Sequence, residues 1–127
     1  MEQQALIDAL NAALGGSVVL APIAKAAIFN TALPAAEADW LGTNIAPTNS
    51  PSHVRIYVCV SIAGILRIAR TNGGVTVVEN LNNGAALVAG ADYGFSSIAW
   101  RTGDSINIRY STTVGVVNRL LIDEGGA

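Results

Sequence analysis

Apolar and polar residues alternate most cleanly between His53 and Leu81. Val54, Ile56, Val58 and Val60 fall on one side of an extended chain, and Arg55, Tyr57, Cys59 and Ser61 on the other. Ala63-Gly64 turns the chain, and Leu66 and Ile68 then alternate with Arg67 and Ala69. Asn72-Gly73-Gly74 supplies the positive-φ residues of a hairpin ahead of Val75 to Leu81. The spacing predicts a β-meander. Downstream the pattern continues through a turn at Asn82-Asn83-Gly84, a short strand at Ala86 to Val88 and a bend at Gly90-Ala91-Asp92. A strand carrying Tyr93, Phe95, Ile98 and Trp100 follows, then a turn at Thr102-Gly103-Asp104. Ser105 to Ser111 alternates again, with Ile106, Ile108 and Tyr110 on one face. Val114 to Asp123 closes the domain with Val116, Leu120 and Ile122 as core positions, and residues 124–127 read as a tail.

Upstream the period changes. Leu6, Leu10 and Leu14 recur at four-residue spacing with Ala5, Ala9 and Ala13 beside them, which predicts a helix over 2–14 stopped by Gly15-Gly16. A helix this short is marginal alone and needs a surface to dock on. Residues 17–33 are apolar and nearly uncharged. Val18 to Leu20 and Ala26 to Thr31 fit strands, and Pro22 favours an edge or an extended arm. Ala35 to Ile45, with Trp40 and Ile45, fits a further strand ahead of the loop Pro47 to Ser52. The chain therefore divides into an amphipathic helix (1–16), an apolar arm or edge strand (17–34) and a β domain (35–127). Strands recur about every ten residues, with turn signals between them, and no helical period follows. This is the pattern of an all-β protein, an antiparallel β-sandwich or jelly roll of about eight strands.

Composition sharpens the functional reading. Of 127 residues, 51% are hydrophobic and 13% charged, about half the usual charged share. So few charges on a small domain predict a surface partly covered by other copies of the chain. The net charge is −2 and the arginines are scattered singly, which argues against a nucleic-acid footprint. With Lys25 the only lysine there is no polybasic membrane patch, and no segment has the length and apolarity of a membrane span. Met1 to Gln4 lacks the positive start of a signal peptide, so the chain is expected to be made in the cytoplasm.

Candidate chemistry is sparse. His53 is the only histidine and Cys59 the only cysteine. Six residues apart on one strand they lie about 20 Å from each other, too far to act as a nucleophile and its base. Gly103-Asp104-Ser105 matches a block that carries the serine of one class of esterases, but it lies late in a β pattern with the histidine ahead of it, and reads as a turn. Glu37/Asp39 and Asp123/Glu124 are carboxylate pairs without calcium-loop spacing. Trp40, Tyr93 and Trp100 suit either a sandwich core or a sugar platform, with the core favoured. No catalytic, metal or cofactor site is expected, and the chain is read as a non-enzyme.

Three segments carry a family resemblance: Asn49 to Ser61, Arg70 to Asn82 and Gly103 to Ser111. Through them Ala35 to Asp123 resembles small phage and archaeal-virus structural proteins, head-decoration or related virion components built as β-sandwiches. The resemblance implies a non-enzymatic role in the virion, on a capsid, as a symmetric homo-oligomer and often a trimer. It transfers no site residues, and the helix at 2–14 lies outside it. Partners would be the chain itself and a capsid or other virion protein, with no nucleic acid and no membrane. The expected association surface comprises Leu6, Leu10, Leu14, Val18, Leu20, Ile28, Phe29, Arg55 and Tyr57. Two other readings stay open: a filament subunit joined by strand exchange through Val18 to Leu33, and a carbohydrate-binding module using Trp40, Tyr93 or Trp100.

Overall fold

Alternation on the central stretch becomes a buried stripe: Val54, Ile56, Val58 and Val60 are all shut away from solvent. The computed structural model describes residues 22–125, so the expected helix over 2–14 and the positions Leu6, Leu10, Leu14, Val18 and Leu20 lie outside the described residues. Seven strands follow in chain order: β1 (Ile23–Ala32), β2 (Ser52–Val60), β3 (Leu66–Asn72), β4 (Val75–Asn80), β5 (Asp92–Trp100), β6 (Ser105–Tyr110) and β7 (Val116–Gly125). They form a four-stranded sheet of order β1-β7-β2-β5 and a three-stranded sheet of order β4-β3-β6. Every strand pair is antiparallel. One hydrophobic core takes residues from both sheets, with Val54, Ile56, Leu120 and Ile122 on one side and Leu66, Ile68, Ile106 and Ile108 on the other. The fold is thus all-β and sandwich-like.

Gly73 and Gly74, at φ of 58° and 80°, make the two-residue turn between β3 and β4. Tyr110 ends β6 inside the core, where its hydroxyl donates to the Ile62 carbonyl at 2.6 Å. Burial pushes the Tyr110 phenol up to about 12. Its ring lies against Gly64, which leaves no room for a side chain there.

Three bulges set the faces of the larger sheet. Pairing of β1 with β7 shifts between Ala24 and Ala26, which makes Lys25 the extra residue. On β5 the shift falls opposite Val54/Ile56, at Ser96 and Ser97, with Ser97 at φ 62°. Tyr93 and Phe95 face inward before it, and Ile98 and Trp100 after it. On β7 the register against β2 slips between Arg119 and Val117. This bulge moves the core position from the expected Val116, which is half-buried, to Val117, which is buried.

Two expected strands are not strands. Ala35 to Ile45 is a series of bends that touches the sheet through single contacts: Trp40 N–H donates to the Ile108 carbonyl at 2.8 Å, and Ile45 bridges Ile106. Its polar groups are held by a side chain instead of a ladder. Buried Asn107 accepts from Leu41 N–H and donates to the Leu41 carbonyl and Asn44 Oδ1, all within 2.9 Å. Ala86 to Val88 likewise reduces to one bridge between Leu87 and Gly64. Finally, Glu124 does not begin a tail. It lies in β7 and is fully buried.

Candidate functional site

Two regions hold unusual side chains: the outer face of the four-stranded sheet and a buried polar centre at one end of the sandwich. On the outer face, register places Ala27 of β1, Leu121 of β7, Tyr57 of β2 and Gly94 of β5 in one row. The next row holds Phe29, Arg119, Cys59 and Asp92. On the other side lie Ala24, Asp123 and Arg55. Arg55 Nε is 2.8 Å from Asp123 Oδ1, and Arg119 Nη2 is 2.9 Å from Asp92 Oδ1. An apolar row is therefore bracketed by two ion pairs: Arg55 of β2 is matched by Asp123 of the adjacent β7, and Arg119 of β7 reaches across β2 to Asp92 of β5. Phe29 and Tyr57 are exposed, at 56% and 40%. At the β1–β7 margin the small alanines of β1 leave a trough of about 410 Å³, lined by Ala24, Ala27, Leu121 and Asp123 among others.

Of the expected association residues that the structure describes, Phe29, Arg55 and Tyr57 share this face. Ile28 does not. Neighbouring residues on a strand point to opposite faces, and with Phe29 outward Ile28 packs against the core.

The polar centre is built around Glu124. Thr48 and Asn49 donate backbone N–H groups to its carboxylate at 2.9 Å each. Ser52 Oγ donates to it at 2.6 Å, and Lys25 Nζ lies 3.3 Å away. Trp100 Nε1 donates to Ser52 Oγ at 2.7 Å, and the Lys25 ammonium sits 5.8 Å from the Trp100 ring centroid. Burial pushes the Glu124 carboxyl up, but the bonds from Ser52, Asn49, Thr48 and Lys25 outweigh it and hold the group down at about 2. The bulge at Lys25 makes this possible, because it turns a lysine on an edge strand toward the sandwich end. The sequence offers Lys25 only as the lone lysine and Glu124 only as half of a carboxylate pair on a solvated face, and does not join them. The available signal was parity: Glu124 continues the inward series of Leu120 and Ile122. Every donor is spent on fixing the loop from Thr48 to Ser52, so the cluster has a structural task.

The remaining candidates disperse. Cys59 Sγ accepts from Asn118 Nδ2 at 3.6 Å, and His53 stands at the far end of the same continuous strand. Asp104 accepts from Asn72 Nδ2 at 2.7 Å and from Arg101 N–H at 3.2 Å, a turn clasp that keeps its carboxyl below the usual range. Glu37 pairs with Arg67 and Asp39 with Arg109. Arg67 and Arg109 face each other across β3 and β6, so the two acids offset a like-charge pair. Trp100 is buried, Trp40 tilts against Tyr110 at 5.8 Å, and Tyr93 stacks on Phe95 at 6.2 Å, so each lies in or against the core. Among the described residues, no group of three His, Cys, Asp or Glu side chains gathers to hold a metal ion. No helix there is long and apolar enough to cross a membrane.

The chain matches no protein-family model and no curated protein sequence.

Proposed function

We propose that this chain is a non-enzymatic structural component of a virion, which decorates or stabilises a capsid as a symmetric homo-oligomer, with a trimer favoured. The observation that carries the reading is strand order. When the bridged segment around Trp40 to Ile45 is counted as a strand position after β1, the chain has eight positions. The sheets then run 1-8-3-6 and 5-4-7-2. We read that order as a jelly roll whose second strand is reduced to a few contacts, and jelly rolls recur in viral capsid domains. The step from fold to role is an analogy of architecture, and the resemblance over Ala35 to Asp123 points the same way. In this reading the protein is made in the cytoplasm and resides in the virion.

The outer face of the four-stranded sheet supplies the contact. Its centre is apolar, its charges are already paired, and burying Phe29 and Tyr57 contributes at roughly 25 cal/mol per Å². Sedimentation velocity tests this. The wild type is expected to sediment as an oligomer, and the double variant Phe29→Glu, Tyr57→Glu as a smaller species with an unchanged far-UV spectrum. A wild type that stays monomeric at every concentration would sink the reading. Jelly rolls also serve lectins, which keeps glycan binding as a second reading. A glycan panel that leaves tryptophan fluorescence unmoved removes it.

A further inference from the structure

Sheet edges expose unpaired backbone groups, and folded proteins blunt them with bulges, prolines, charges or a covering segment. Here β1 carries the bulge at Lys25 and a positive φ of 47° at Asn30. On β5 the bulge falls at Ser96 and Ser97. The free side of β6 is covered by Trp40 to Ile45. Among the described residues, β4 has no bulge, proline or covering segment, and its one charge is Glu79. Val75-Thr76-Val77-Val78-Glu79-Asn80 keeps an unbroken register with β3, contains no proline, lysine or arginine, and is exposed at every residue. Val75 and Val77, which share a face with core residue Ile68 across β3, are 65% and 54% exposed.

We propose that β4 is a two-fold contact at which a second copy of this chain pairs its own β4, antiparallel, to make one continuous sheet across the dyad. This rests on the reading of the chain as a self-assembling component and adds to the outer-face contact a second, two-fold surface that joins one assembly to another. The backbone pattern selects the occupant. Leu81 N–H donates to the Leu66 carbonyl, which makes the neighbouring Arg67–Asn80 pair a non-hydrogen-bonded one. Pairs alternate along the ladder, so Val75, Val77 and Glu79 turn their backbone groups toward β3. Thr76, Val78 and Asn80 turn theirs to the free edge. This outward set is symmetric about Val78. A two-fold axis through Val78 matches Val78 with itself and Thr76 with Asn80, and each of these pairs exchanges both hydrogen bonds.

Side chains agree with that register. A dyad normal to the sheet keeps each copy's faces on the same side, so Val77 of one copy lies opposite Glu79 of the other. Arg70 stands level with Val77 on β3 and is already 3.8 Å from its own Glu79. The dyad therefore places the second copy's Glu79 in the row of Val77 and Arg70, two strand spacings from an arginine that also faces its own Glu79 and Asp104, so the only charge on β4 lies on the side of an opposite one. Two-fold contacts of this self-complementary kind are the commonest in homo-oligomers.

Sedimentation of the full chain over a concentration series, with variants at two exposed valines, tests the contact. Val78→Lys is expected to raise the dissociation constant of the pair about tenfold or more, while Val88→Lys, on another exposed loop, leaves it unchanged. Oxidised Val78→Cys is expected to cross-link into covalent dimers much faster than Val88→Cys. Cys59 is buried and common to both. Equal masses for wild type and Val78→Lys overturn the proposal. So does loss of association in Val78→Lys without cross-linking in Val78→Cys, since another segment would then occupy the edge. If the Val78 variants are silent and the Phe29/Tyr57 variant falls apart, the assembly reading stands and this contact does not exist.

Discussion

Glu124→Gln is expected to cost about 3 kcal/mol of stability, a fall in melting temperature of more than about 10 °C. The carboxylate has no solvent contact, with 0% side-chain exposure, and it accepts from two backbone N–H groups and one hydroxyl while facing Lys25. An amide in its place offers only one acceptor oxygen. Its NH₂ group faces donors, and Lys25 loses its counter-charge. Lys25→Met should be milder, because the other three donors remain. Thermal melts of both variants check this. If Glu124→Gln melts within a couple of degrees of the wild type, the carboxylate does not pin the loop.

The same group sets an acid limit. Its ordinary value is 4.5 and its folded value about 2, so the unfolded chain takes up the proton first as pH falls. The stabilisation is fully present above about 4.5 and is lost as pH drops through the folded value near 2. The loss is on the order of 3 kcal/mol. In denaturant titrations across that window, Glu124→Gln should lack this slope, and Lys25→Met should keep most of it.

Gly64→Ala is expected to destabilise by about 1–3 kcal/mol through overpacking. A methyl group there would lie 2.6 Å from Tyr110 Cε2 and 2.6 Å from Thr112 Oγ1. Neither neighbour yields easily. The Tyr110 ring is buried and tied by its hydroxyl to Ile62, and Thr112 Oγ1 donates to the Ala63 carbonyl at 2.8 Å. Tyr110→Phe, which only orphans the Ile62 carbonyl, should cost about 1–3 kcal/mol. If the Tyr110→Phe background accepts alanine at Gly64 with no smaller penalty, the clash is not with a tethered ring.

Legibility in the sequence follows the physics of each element. The inward stripes of β2 and β6 were plain because an unbroken strand between a core and an outer surface must alternate at every second residue. The Gly73-Gly74 hairpin was plain because left-handed backbone has few takers. Bulges were not. A bulge inserts one residue and switches parity, so Tyr93 and Phe95 followed by Ile98 and Trp100 looks like noise until a partner strand shows the slip. For the same reason alternation back from Leu120 points to Val116, while the slip at Asn118 puts Val117 in the core. Ala35 to Ile45 looked like a strand because Trp40 and Ile45 are apolar. Its backbone instead relies on Asn107, a tertiary partner more than sixty residues away. Of the proposed association surface, alternation puts Tyr57 on the face opposite Val54 to Val60, and Phe29 stands out in the apolar stretch 17–33. Their joining with Leu121, and the neutralising of Arg55 and Arg119, depend on which strands become neighbours.

Strand order also bears on how the molecule is born. β7 comes last among the strands in the chain, yet sits inside the larger sheet between β1 and β2. A ribosome releases β1 and β2 well before the strand that joins them. Until Val116 to Gly125 emerges, both hold unpaired edges and an uncovered apolar face. Productive folding of this domain therefore waits for β7, and until then the apolar face of β1 and β2 is open to wrong pairings.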